Sequence, residues 1–228
     1  MLEAYGASQV PLFIKDGFSD GDISRNPAWT IASGKFGLEK TGGLRSIVRL
    51  GGSSGAQSGK QDSAAAILDT ILGSGKSGGS GNSLVSNQRA ELFTAAKITN
   101  TFRLSTAFIS RSAPGQFDWF VYQGSDRSSG YRLSYYADAA SPSLELLRVT
   151  RKGTSVIDSF DAAKALEDGK THDIRWTRAA GGAMSVVLDG EEILTVTDQG
   201  IKSGFDGLSM ANASGDMLIR SVDVLGVR

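Results

Sequence analysis

The chain has 228 residues, with 24 Lys and Arg against 24 Asp and Glu, one His and no Cys. That length suits one large β domain or two small ones, and a folded chain of this size buries roughly 70% of the surface its unfolded form exposes, so its core needs no staple. The missing cysteines exclude disulfides, thiol nucleophiles, zinc fingers and iron–sulfur clusters, the lone His172 argues against a Ser-His-Asp triad or a multi-histidine metal site, and zero net charge offers neither the basic excess of a sequence-independent nucleic-acid binder nor a polybasic membrane anchor.

The chain opens on "MLEAYGASQVPLFIK". Glu3 stands where a secretory signal would carry positive charge, and its apolar run is too short for one. No segment is apolar for long enough to span a membrane. "VPLFI" (10–14) is the first predicted strand, followed by "AWTIAS" (28–33), "KFGLE" (35–39) and "LRSIVRL" (44–50). Residues 51–88 break the alternation. Their flanks are Gly/Ser-rich, as in a linker. Their middle, 62–72, reads as a short helix with Asp62 or Ser63 as N-cap, Gly73 as its stop, and Ile67, Leu68, Ile71 and Leu72 on one face. Such an insertion is either a plug over the edge of the fold or a lid or docking helix. Its "GSGKSGGSG" lacks the spacing of a phosphate-binding loop.

The clearest strands come later. They are "TFRLSTAFISR" (101–111), "DWFVYQ" (118–123), "YRLSYYAD" (131–138), "SLELLRVT" (143–150), "TSVIDSF" (154–160), "HDIRWTR" (172–178), "AMSVVLD" (183–189), "EILTVTD" (192–198), "FDGLSMAN" (205–212) and "MLIRSVDVLG" (217–226). Asp189-Gly190 and Lys152-Gly153 are hairpin turns between alternating runs. "EDGKTHD" and "NASGDM" read as further turns. Many short strands between turn signals predict an all-β antiparallel sandwich.

Three stretches carry a family likeness: "GYRLSYYADAASPSLELLRVTRKG", "DGKTHDIRWTRAAGGAMSVVLDGEEILTVTD" and "GFDGLSMANASGDMLIRSVDVL". In order they give an aromatic-led strand, a Leu-rich strand ending in Arg and Gly, a strand begun through a G-x-x-H turn, an Asp-Gly hairpin, and a last strand bearing Asp. With "DGFSDGD…NPAWT…GKFGLE…GGLRS" near the start, this resembles the concanavalin A-like jelly-roll superfamily, in its laminin-G-like and bacterial carbohydrate-binding branch. The likeness covers most of 12–50 and 100–226. It implies one jelly-roll domain over 1–228 with a partly helical insertion at about 51–90. The superfamily includes lectins, carbohydrate-binding modules, glycoside hydrolases, polysaccharide lyases, adhesion domains and viral surface proteins, so fold alone does not choose a function.

Retaining or inverting glycoside hydrolysis needs two carboxyl groups across one cleft, and the along-strand acidic motif of the superfamily's hydrolases is not matched. Glu167, Asp168, Asp189, Glu191 and Glu192 are placed in turns. A lyase would need a base and a group to neutralise a uronate; Tyr122, Arg132, Tyr136 and Arg175 are the residue types for it. Sugar binding asks less: aromatic rings for the apolar face of a pyranose and planar polar groups for its hydroxyls. Strand alternation sends Trp119, Val121, Tyr131, Leu133, Tyr135, Ile174 and Trp176 to the core. That leaves Phe120, Tyr122, Arg132, Ser134, Tyr136, Asp173 and Arg175 outward. The resemblance implies a ligand on a concave outer face, so these seven are the candidate ligand-binding set; the plain alternative is a half-solvated sheet surface.

Two readings stand for the acids of "DGFSDGDISRNP". It is no EF-hand, since Phe18 and Pro27 occupy ligand positions. Either "SDGD" is a turn with Asp capping local N–H groups, or, as the resemblance implies, Asp16, Asp20 and Asp22 with Asp223 hold a structural Ca2+. His172 starts a strand and is expected to make a structural hydrogen bond. The combined reading is a non-catalytic carbohydrate-binding or adhesion domain, extracellular or on a cell or virion surface. The alternatives are a virion or phage surface subunit, assembling as a homo-oligomer or larger array through 1–12 and 51–90, and a polysaccharide-degrading hydrolase or lyase.

Overall fold

The computed structural model describes residues 11–49, 84–137, 142–161 and 165–227. Its strands in chain order are β1 (Leu12–Asp16), β2 (Thr30–Ser33), β3 (Gly37–Leu38), β4 (Leu44–Val48), β5 (Val85–Ser86), β6 (Ala90–Ile98), β7 (Phe102–Ser110) and β8 (Gly115–Gln123). Then come β9 (Ser129–Ala137), β10 (Leu144–Thr150), β11 (Gly153–Phe160), β12 (His172–Arg178), β13 (Ala183–Leu188), β14 (Glu191–Thr197) and β15 (Phe205–Gly226). Every pairing is antiparallel except the short one between β4 and β5. The all-β antiparallel sandwich is therefore what forms. The helix expected at 62–72, and most of the 1–12 and 51–90 segments expected to make subunit contacts, lie outside the described residues.

One sheet runs β11-β10-β9-β8-β15-β6-β2. The other runs β14-β13-β12-β7-β15, with β1 and β4 sharing the far side of β15. The same strand thus belongs to both. Residues 205–214 of β15 pair with β6 and β8, whereas 215–226 pair with β4, β7 and β1.

The sequence predicts a turn at "NASGDM", in the middle of this strand. The chain instead runs straight through, bending from one sheet to the other. Asn212 is wholly buried at the bend, and its Nδ2 donates to the carbonyls of Ser46 at 2.9 Å and Gly215 at 3.0 Å. A polar residue that reads as a loop signal here satisfies backbone groups in the interior. Gly215 has φ 95°, and a Cβ there would come 3.0 Å from the Gly115 backbone. Only glycine fits that crossing without strain.

β5 and β6 are the strands that sequence reading misses, since 84–90 falls in the expected insertion and 91–100 in no predicted strand. "AELFTAAKI" is rich in good helix formers. It is extended because β15 and β2 pair with its two sides, and Ala90, Leu92 and Ile98 face the core. Propensity yields to the register of its neighbours.

In the core the Phe108 ring lies 5.4 Å from both Trp119, edge to face, and Tyr135, tilted, across the two sheets, while Phe102 meets edge to face its sheet neighbour Trp176 at 5.2 Å and Phe205 at 5.6 Å. Such geometry adds to the area buried. Asn212→Ala should remove two buried hydrogen bonds to backbone carbonyls and cost about 1–3 kcal/mol. A urea titration should show a lower midpoint with an unchanged slope.

Candidate functional site

Directly opposed residues of an antiparallel ladder share a face. Reading the register across the first sheet from β6 to β10 gives an outer row of Phe93, Ser209, Phe120, Arg132 and Leu147. The next row is Glu91, Ala211, Asp118, Ser134 and Glu145. Gln116 and Tyr136 lie beyond it, and Tyr122 lies on the other side of the first row. The outer face is thus striped. An aromatic and aliphatic row carrying one arginine runs beside a row of hydroxyls and carboxylates.

Five of the seven sequence-predicted residues share this face: Phe120, Tyr122, Arg132, Ser134 and Tyr136. Asp173 and Arg175 do not. They lie on β12 in the other sheet, where Arg175 opposes Ser105 and Ser105 opposes Asp223. There they line a separate depression of about 350 Å³ with Ser105, Ser221 and Asp223. Alternation tells inward from outward; it does not tell which sheet a strand joins.

The polar row is built by hydrogen bonds. Asp118 is 1% exposed, and its Oδ1 accepts from Ser134 Oγ at 2.8 Å and Gln116 Nε2 at 3.2 Å. Its Oδ2 is 3.1 Å from Arg89 Nη2. Glu91 accepts from Ser209 Oγ at 2.9 Å and Arg127 Nε at 3.3 Å, and the Arg127 guanidinium sits 4.0 Å over the Phe93 ring. Tyr136 donates to Glu145 Oε2 at 2.8 Å. Burial, and then that carboxylate, push the Tyr136 phenol up to about 12, so it stays protonated at neutral pH and is no ready base. Tyr122 lies across Gly207 and donates to the Thr94 carbonyl at 3.2 Å. A Cβ on Gly207 would overlap both the Tyr122 hydroxyl and that carbonyl. Phe93 and Phe120 each stand 6.4 Å from the Tyr122 ring. Beside this aromatic group is a depression of about 690 Å³, bounded by Phe93, Tyr122, Gly124 and the Lys97–Asp206 ion pair.

Sequence reasoning missed Glu91, Phe93, Asp118 and Glu145. Asp118 lies two residues before Phe120, so the same alternation would have found it. Glu145 follows from alternation in β10 in the same way. Glu91 and Phe93 were hidden with β6.

The four acids proposed for calcium are not brought together. Asp16 is buried; its Oδ1 accepts from Phe18 N at 2.6 Å and its Oδ2 from Trp29 Nε1 at 2.7 Å. Burial raises its pKa against those hydrogen bonds. Asp20 accepts from Asp22 N at 3.1 Å. Asp22 accepts from Ser24 N at 2.7 Å, Ser24 Oγ at 2.5 Å and Arg25 Nε at 2.8 Å, which hold its carboxyl at about 2. Asp223 pairs in register with Lys15, one residue from Asp16, so it faces the opposite side of the sheet. Among the described residues no group of three or more His, Cys, Asp or Glu is placed to hold a metal ion. The local hydrogen bonds are those of a turn that locks Trp29.

Glu191 and Glu192 begin β14 rather than sitting in the turn before it. His172 bridges Asp189 at 2.7 Å and Asp168 at 3.2 Å, as expected of a structural histidine. Burial pulls its pKa down, and hydrogen bonds to the two carboxylates more than offset this, so the net shift is upward.

No protein-family model matches the sequence, and no curated protein matches it. The fold does match solved structures. A β-glucanase from Bacillus licheniformis aligns with TM-score 0.61 at 10% identity, over 96% of this chain and 100% of its own. A protein of unknown function with a galectin-like fold, from Bacillus subtilis, aligns with TM-score 0.61 at 12% identity over the same shares. The carbohydrate binding module CBM66 from Bacillus subtilis aligns with TM-score 0.56 at 13% identity, over 87% of this chain and 95% of its own. The fold is the concanavalin A-like jelly roll.

Two outcomes follow. Gly207→Ala should displace Tyr122 and destabilise the protein by about 1–3 kcal/mol, with a changed near-ultraviolet circular dichroism signal. A raised histidine pKa gives stability that is fully present below the unfolded value of 6.5 and is lost as pH rises through the folded value. Melting temperature should therefore fall with pH above 6.5, and His172→Gln should remove that fall.

Proposed function

We propose that the chain is a carbohydrate-binding domain and that the glycan lies on the outer face of the β2-to-β11 sheet. The observation that carries this is the pair of parallel stripes. Phe120 offers an apolar ring to the face of a pyranose unit, and Phe93, with the Arg127 guanidinium over its ring, continues the apolar row beside it. Glu145, one row away, and Tyr136, beyond it, offer an acceptor and a donor to the sugar hydroxyls, above the buried Asp118 and Ser134 that hold this floor in place. The polar groups are held by one another before any ligand arrives, so little ordering cost remains at binding. Sharing a jelly roll with CBM66 supports the reading at the level of fold. Such a domain would serve at a cell surface or outside the cell, where polysaccharide is met.

A glycan array followed by calorimetric titration tests it. Phe120→Ala should weaken the best-bound glycan by about tenfold or more, as loss of a central aromatic contact does. Arg175→Ala, on the other sheet, should leave affinity unchanged. The reverse pattern would move the site to the β12 face, and no binding across the array would sink the proposal.

A further inference from the structure

We infer that the glycan bound on this face is anionic, and that Arg132 receives its carboxylate or sulfate group. The inference rests on the carbohydrate reading above and names the class of sugar for the same face.

Three arginines stand on or beside this face, and two of them are already neutralised. Arg127 is paired with Glu91, and Arg89 with Asp118. Arg132 differs. Its side chain makes no hydrogen bond and no ion pair with any described residue, and its Nε is both shut off from water and unpartnered. The reason lies in the register. Arg132 sits in the apolar row, with Phe120 opposite it on β8 and Leu147 opposite it on β10. Leu147 is itself buried. Glu145 belongs to the neighbouring row and is engaged by the Tyr136 hydroxyl.

The inner nitrogen of this part-exposed guanidinium is shut off from water, while its outer end stays open to a ligand and no carboxylate is paired with it. A neutral sugar would leave that cation without a counter-charge. A carboxylate or sulfate would supply one, because the outer end of the planar guanidinium presents parallel N–H donors that match two oxygens of either group. The surroundings fit the rest of such a ligand. Phe120 offers its ring to the sugar carrying the charge. Ser134, next on the same face of β9, is fully buried and donates its hydroxyl to Asp118, so it holds the floor beneath the ligand in place. Anion and ring are thus read by adjacent positions in one row.

The test uses pairs of polysaccharides that differ only in charge. These are polygalacturonate with its methyl ester, and a sulfated galactan with its desulfated form. Affinity electrophoresis of the full chain should show retardation by a charged member at about one-tenth the concentration its neutral counterpart requires. The pair that responds identifies carboxylate or sulfate. Arg132→Gln should abolish the preference for charge, and Arg132→Lys should keep part of it. Both variants should melt with the parent protein. Phe120→Ala should weaken charged and neutral members alike.

Equal or better binding of the neutral members, still lost in Phe120→Ala, would overturn the anionic ligand and leave the carbohydrate face standing. A charge preference that survives Arg132→Gln would overturn the role of Arg132. Failure of both charged and neutral members to bind would overturn the inference together with the reading beneath it.

Discussion

The fold depends on one strand being central to both sheets. β15 is the inner neighbour of β8 and β6 in one sheet and of β7 in the other. Its register therefore sets which residues of β6 and β8 stand beside one another on the outer face. The two stripes of the candidate face are projections of that register. Ser209 and Ala211, from the first half of β15, sit in the middle of each. Moving β15 by one residue would exchange core and surface along its length.

On the β2-to-β11 sheet most charges close on themselves within the face, Glu91 with Arg127 and Asp118 with Arg89. These pairs organise side chains more than they stabilise the fold, because part-exposed ion pairs contribute little. Among the described residues of this face, Arg132 is left as a guanidinium without a paired carboxylate and Glu145 as a carboxylate held only by the Tyr136 hydroxyl.

Much of this was legible in the sequence. Alternation in "DWFVYQ" and "YRLSYYAD" correctly sorts Phe120, Tyr122, Arg132, Ser134 and Tyr136 from Trp119, Tyr131 and Tyr135. What was not legible was non-local. Asp173 and Arg175 have the right alternation and the wrong sheet, because membership is settled by pairing with β7. β6 carries helix-forming residues and is extended only because its neighbours are. "NASGDM" has every local mark of a turn and is overruled by buried hydrogen bonds at Asn212. The acid-rich "DGFSDGD" looks like a ligand cluster in one dimension. In three dimensions its carboxylates turn on their own backbone and on Trp29.

The place of β15 in the chain bears on the order of events at the ribosome. It follows every other described strand in the chain, yet it separates β8 from β6 and β7 from β1 and β4. Hairpins such as β8–β9 and β12–β13 can form as they emerge. Neither sheet can close until residues 205–226 have been synthesised. Until then β6, β7 and β8 each expose an unpaired edge, the kind of surface on which nascent β proteins associate wrongly. Closure of both sheets in that sense waits for the one strand that lies between their halves.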